Sequence, residues 1–187
     1  MYCDKMKRSC YAETDLTFLV NISNAIGHSQ DIYKDLELVL NDLCDFLDAQ
    51  YSMITIVDRN YDKIMISAAH GLTKEEKSRG VYKIGEGIIG EVVQTETPVV
   101  IKDISKNSKF LNKTGIKRNN NQMMAFLCVP IILKNEITGT LSIHKAHQGI
   151  VDFSAEIKFL NIVGMLIGKN VSIRRKHIEE LEELRKE

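Results

Sequence analysis

Residues 123–133 read Met-Met-Ala-Phe-Leu-Cys-Val-Pro-Ile-Ile-Leu, and no other stretch constrains the fold as much. This longest apolar run falls well short of the ~20 residues a helix needs to cross a bilayer. It predicts a central strand. Lys134-Asn135 predicts a turn, and Glu136–Lys145 alternates as the partner strand of a hairpin. The alternation puts Ile137, Gly139, Leu141 and Ile143 on one face and Thr138, Thr140, Ser142 and His144 on the other.

The pattern around that hairpin alternates between helix and strand. Leu16, Leu19, Val20, Ser23 and Ile26 recur at helical spacing before Gly27. Ile32, Leu36, Val39, Leu40, Leu43, Phe46 and Leu47 form a second stripe. Strand patterns follow at 52–58 and 64–70, then a short polar helix at 73–80 and a third strand at 81–84. Gly85-x-Gly87-x-x-Gly90 bends the chain into a helix at 88–95, and 98–103 is extended again. With 187 residues, the chain makes one domain plus an extension at ~150 residues per domain. The division expected is a lead-in at 1–14, the domain at 15–172 and an exit helix from 173 to 187.

The last segment predicts one helix from about Ser154 onward. Ile157, Leu160, Gly164, Ile167, Val171, Arg174, Ile178 and Leu181 recur at alternating spacings of 3 and 4. One domain of this size does not bury a helix that long. Ile157, Leu160, Ile167, Val171, Ile178 and Leu181 are therefore expected to form a homodimer and signalling seam, flanked by mixed charges.

Lys plus Arg and Asp plus Glu both number 25. This balance argues against a domain that grips nucleic acid itself. No signal-peptide core opens the chain, which predicts a cytoplasmic protein without a membrane partner. Enzyme motifs such as a P-loop or a His-Glu-x-x-His pair are absent from the sequence. Cys44 and Cys128 sit in apolar patterns and read as small core residues. Cys3 and Cys10 are too few for a closed metal site in one chain, although a dimer pools four thiols. From Lys102 to Arg118 six basic residues stand against Asp103 alone. That segment is either a solvated loop or an anion gate, since a long loop inside a compact domain tends to be functional.

Two blocks carry a family resemblance: KIGEGIIGEVVQTETPVVIKDISKNSKFLNK at 83–113 and FLCVPIILKNEITGTLSIHKA at 126–146. Together with the element order they resemble a GAF domain, a sensor module, and in particular the GAF domains of Nif-specific regulatory proteins. The resemblance covers about residues 12–172. It implies an α+β fold: an antiparallel sheet of about six strands, N- and C-terminal helices on one face and a ligand cavity on the other. It also implies no catalysis by the domain itself, and AAA+ and DNA-binding domains as partners within the full-length activator. The cyclic-nucleotide signature is not assembled, and Cys128 sits mid-strand, which disfavours a bilin.

The leading expectation is allosteric binding of a small metabolic anion, with 2-oxoglutarate as first effector. Its candidate site comprises Thr55, Gly87, Ile88, Lys113, Arg118, Cys128, Ser142 and His144. One rival is a ligand-free module whose cavity is filled by Met53, Met65, Met123 and Phe126 and which meets a nitrogen-status signalling protein. Another is an iron–sulfur or redox sensor through Cys3 and Cys10. A third is a methionine-sulfoxide-reductase-type enzyme with reactive cysteines.

Overall fold

The structure, a computed structural model, describes residues 16–25, 31–58, 60, 62–117 and 122–184, with side chains through 173. The hairpin forms where the pattern predicts, but a register shift skips Thr138, so that Ile137 joins the Met53 and Phe126 cluster on the opposite face from Leu141 and Ile143. Strands β5 (Met123–Leu133) and β6 (Glu136–His147) pair antiparallel around Lys134 and Asn135, both at positive φ (50° and 61°). Two left-handed residues in succession suit the right-handed twist of the flanking strands. β6 also pairs with β1 (Tyr51–Asp58), which pairs with β2 (Lys63–His70). The two-residue β3 (Val81–Tyr82) and the short β4 (Val99–Ile101) are the outer strands. The resulting six-stranded antiparallel sheet has the order β3-β2-β1-β6-β5-β4.

One face of the sheet carries three helices. These are α1 (16–25), α2 (Ile32–Leu47) and α5 (Ser154–Leu184). Leu36, Val39, Leu40 and Leu43 of α2 bury the predicted stripe, and Leu160, Val163 and Ile167 of α5 join them against Leu127, Val129, Leu141 and Ile143. Phe18, Phe46 and Phe159, one from each helix, stack with centroids 4.3–5.5 Å apart. Asp31 caps α2 by accepting from the Tyr33 N–H at 3.0 Å.

Two details differ from expectation. In α1 the buried face is Phe18, Leu19, Ile22 and Ala25, whereas Leu16 and Val20 are more than half exposed. The helix carries two apolar stripes of similar strength, and its phase is set by the Phe46 and Phe159 rings it meets. In α5, Leu160 and Ile167 lie in the domain's own core, with Ile157 and Val171 packed at its margin. This part of the seam is taken by the sheet and is not open to a second copy. A spacing of 3 and 4 serves either surface equally well. The side chains of Ile178 and Leu181 lie outside the described residues, although α5 continues unbroken to Leu184.

The opposite face carries α4 (Gly87–Thr95) and a long connection from β4 to β5. The short α3 (Lys74–Arg79) enters through a full capping box of Thr73 and Glu76. No helix among the described residues is long and apolar enough to cross a membrane.

Candidate functional site

The α4 face is organised by glycine contacts. Gly85 and Gly87 have φ of +80° and +61°, and a Cβ on Gly90 would lie 2.4 Å from the Lys83 carbonyl oxygen. The glycine pattern is therefore a close-packed corner. The Gly85 N–H donates back to the Gly90 carbonyl at 2.9 Å. From this corner α4 lays Ile88, Ile89, Val92 and Val93 on the sheet. Met53, Phe126 and Cys128 lie beneath.

Residues 103–117 complete the roof. The first part is a single 3₁₀ turn, Ile104–Lys106, capped by Asp103. Phe110 inserts against Phe126 (5.2 Å between centroids), and Ile116 and Thr114 are buried. Polar contacts hold the roof down. Arg79 donates from Nε and Nη2 to the Thr114 carbonyl at 3.0 and 2.6 Å. Lys113 Nζ donates to the Val81 carbonyl at 2.8 Å, lies 2.6 Å from Glu86 Oε2 and sits 5.1 Å over the Tyr82 ring. Lys109 pairs with Glu91 at 3.0 Å and Lys106 with Asp103 at 3.1 Å. The Lys113 hydrogen bond, followed by one from the Lys83 N–H, holds the Glu86 carboxyl below its ordinary value. At Asp103 the Ser105 hydroxyl and then Lys106 do the same.

Under the roof lies a cavity of about 10 Å³, bordered by Tyr82, Phe110, Leu111, Phe126 and His144. That is about the space of one water. The His144 ring is 4.9 Å from Phe126 and 5.8 Å from Phe110, with Tyr51 edge-on at 5.7 Å. Beside it runs a buried polar ladder. The Thr55 and Thr140 hydroxyls are 2.8 Å apart, and the Thr140 N–H donates to Thr55 Oγ1 at 3.2 Å. Ser142 Oγ is buried and has no hydrogen-bond partner among the described residues. Burial pushes the Cys128 thiol up to about 12, although a bond to Thr140 opposes the shift.

This arrangement of a six-stranded antiparallel sheet with a helical face and a roofed face coincides with a family model. The GAF domain model matches residues 32–171. The chain belongs to the GAF domain family. The GAF domain is 31% identical over 172 residues to the nitrogen fixation protein AnfA of Azotobacter vinelandii and 32% identical over 177 residues to the Nif-specific regulatory protein of Herbaspirillum seropedicae. Both alignments cover 92% of this chain and 32% of the relative, so the chain spans about a third of the curated relatives' length. Among solved structures, the A. aeolicus Nlh2 GAF domain in an inactive state matches with a TM-score of 0.75. It is 27% identical, over 86% of this chain and 96% of that one.

Of the residues singled out in the GAF sequence, Thr55, Cys128, Ser142 and His144 come together on the roofed face, with Ile88 above them. Gly87 lies under Leu111: a Cβ there would be 3.0 Å from Leu111 Cδ1. Lys113 reaches the site's edge already paired. Arg118, Cys3 and Cys10 lie outside the described residues. Of the proposed cavity-filling residues, Met53 and Phe126 are buried, Met123 is half-buried, and Met65 is 42% exposed on the strand next to the β3 edge. Counting charge along 102–118 missed Glu86 and Glu91, because the loop folds back over α4 and meets acids from an earlier segment. Phe110 and Arg79 were also missed. A lone aromatic in a polar loop was a usable signal for Phe110. Arg79 gave none, since its partner is a backbone carbonyl.

Proposed function

We propose that this GAF domain is the regulatory sensor of a transcriptional activator of the nitrogen-fixation class, and that residues 103–117 gate its ligand site. A small dicarboxylate, 2-oxoglutarate first, binds by taking Lys113 from Glu86. In doing so it lifts Phe110 and Leu111 and reaches Ser142 and His144. The observation that carries this reading is the Lys113–Glu86 contact: a carboxylate of the chain's own occupies the cation at the edge of the cavity, where both side chains remain about one-third exposed (28% and 35%). An incoming carboxylate replaces like with like, and the buried Ser142 hydroxyl gains a partner. A ligand shifts the gate only by its preference for the open form.

The signal leaves through α5, toward the AAA+ and DNA-binding domains of the longer protein. With the inner side of α5 committed to the sheet, the homodimer face is the outward stripe. It comprises Leu16 and Val20 of α1 with Ile162, Met165 and Ile173 of α5, each more than 40% exposed. Helix α1 adjoins α5 through Phe18 and Phe159, so the two sets share one side.

Calorimetric titration of 2-oxoglutarate into the chain tests the gate. The expected result is a saturable heat that disappears in Lys113→Ala and strengthens severalfold in Glu86→Gln, where the internal competitor is weakened. No heat with either wild type or Glu86→Gln overturns it. A second reading has its own observation. The 10 Å³ cavity packed by Met53, Phe110 and Phe126 favours a ligand-free module that answers to a protein partner. The reductase reading needs a reactive thiolate, which burial disfavours at both Cys44 and Cys128 by raising their thiols.

A further inference from the structure

The roofed face is nearly closed, but the helical face is not. Between α2, α5 and the sheet lies a second cavity of about 250 Å³. Its walls are Leu36 of α2, Ile54 and Ile131 of the sheet, and Ile167, Gly168 and Val171 of α5. Both register shifts of the sheet meet here, between Ile54 and Thr55 in β1 and between Ile131 and Ile132 in β5. Bulges of this kind often re-aim side chains beside binding sites. Gly139 sits between them, and a Cβ on it would lie 1.8 Å from the Thr55 carbonyl oxygen, so β6 passes close to β1 at the floor. On α5, Gly168 keeps the space open: a Cβ there would meet Ile131 Cγ2 at 2.9 Å.

The lining dictates the ligand chemistry. No Lys, Arg, His, Asp or Glu is among the described residues that line the cavity. A charged group placed there would lose its hydration without compensation. The volume exceeds that of an engineered cavity of about 150 Å³ that holds benzene, which puts a substituted or fused ring within range. Besides Thr55, Ser172 and Thr138 bring side-chain hydroxyls to the lining, and the one held in place is that of Thr138. Its hydroxyl donates to the Ile131 carbonyl at 2.9 Å, so its proton is committed and its lone pairs remain to accept. The Thr55 hydroxyl is engaged by Thr140 elsewhere.

We propose that this cavity binds a neutral, ring-sized molecule that is apolar except for one N–H or O–H donor directed at Thr138. The site is separate from the anion gate, on the other face of the sheet. Because Ile167, Gly168 and Val171 form one wall, an occupant adds contacts that hold α5 against α2 and the sheet.

Methyl-detected NMR of the full chain, titrated with indole as probe, tests this. Saturable shifts are expected for the Ile54, Ile131 and Ile167 methyls, with those of Ile88 and Ile89 unmoved. Indene, the same shape without the N–H, is expected to bind about three- to tenfold more weakly, the range of one hydrogen bond. That preference should vanish in Thr138→Val. Absence of saturation, shifts centred on Ile88 and Ile89, or equal binding of indole and indene to the wild type each overturns the proposal. The wild-type map and the probe pair decide it even if the variant does not fold.

Discussion

The two faces of the sheet are held by different forces. The helical face is almost wholly apolar, with Leu127, Val129, Leu141 and Ile143 opposed by Leu36, Leu40, Leu160 and Ile167. Its attraction is removal of apolar surface from water, which has no direction and little response to charge. The roofed face combines a floor of apolar side chains and a buried polar ladder with a loop fixed by discrete polar contacts from Arg79, Lys109 and Lys113. Such contacts contribute little individually, and a competing group can replace them. A domain built this way has one face suited to carry load and another suited to change.

The largest expected effect belongs to the helical face. Leu160→Ala removes a fully buried side chain between α5 and β5. It is expected to cost about 2–5 kcal/mol in denaturant unfolding. A cost below about 1 kcal/mol would show that α5 is only loosely docked, and the contrast between faces would fail. Next is Thr140→Val, which deletes a hydroxyl bonded to both Thr55 and Cys128. Loss of a buried partner is expected to cost about 1–3 kcal/mol. A neutral result would reduce the ladder to packing.

These two faces were not equally legible in the sequence. The β5–β6 hairpin and the α2 stripe could be read because a period of 2 or 3.6 is written locally. The polar face of β6 was legible at Thr140, Ser142 and His144 but not at Thr138, because a period of 2 gives no warning of the bulge that turns Thr138 toward the α5 side. The burial of Leu160 and Ile167 followed from competition between two surfaces for one stripe. The sheet lies within the chain and meets it first, which turns Ile162, Met165 and Ile173 outward. The lysines of the roof were visible, but their partners were not. Glu91 precedes Lys109 by 18 residues, and only the tertiary fold returns the loop to α4. Sites made of long-range pairs leave no pattern in a window.

A smaller, local effect is expected from Arg79→Ala. Global stability should shift by about 0.5 kcal/mol or less if the roof opens independently of the sheet. Amide exchange of residues 110–116 should accelerate roughly tenfold while that of β5 and β6 stays unchanged, the loss of a charge-assisted contact to one carbonyl. Uniform acceleration across both regions would mean that the roof and the sheet unfold as one unit, and no gate would exist.

The last effect, also small, is the most specific. Glu86→Gln removes a partly exposed ion pair, so the loss at neutral pH should be about 1 kcal/mol at most. Its pH dependence has a definite sign. The Glu86 carboxyl is held below its ordinary value of 4.5 by Lys113 and by the Lys83 N–H, so its contribution is fully present above pH 4.5 and disappears as pH falls through the folded-state value. Asp103 and Asp152 are lowered as well, from an ordinary 3.8, so the wild type alone loses several such contributions in acid. The difference between wild type and Glu86→Gln cancels those and isolates the latch. Exchange protection of residues 110–116 is therefore expected to differ between the two proteins at pH 7 and to converge as the pH is lowered below 4.5. A difference that persists unchanged in acid would mean that shape, not charge, holds Lys113 in place. A carboxylate ligand would then have nothing to exchange for.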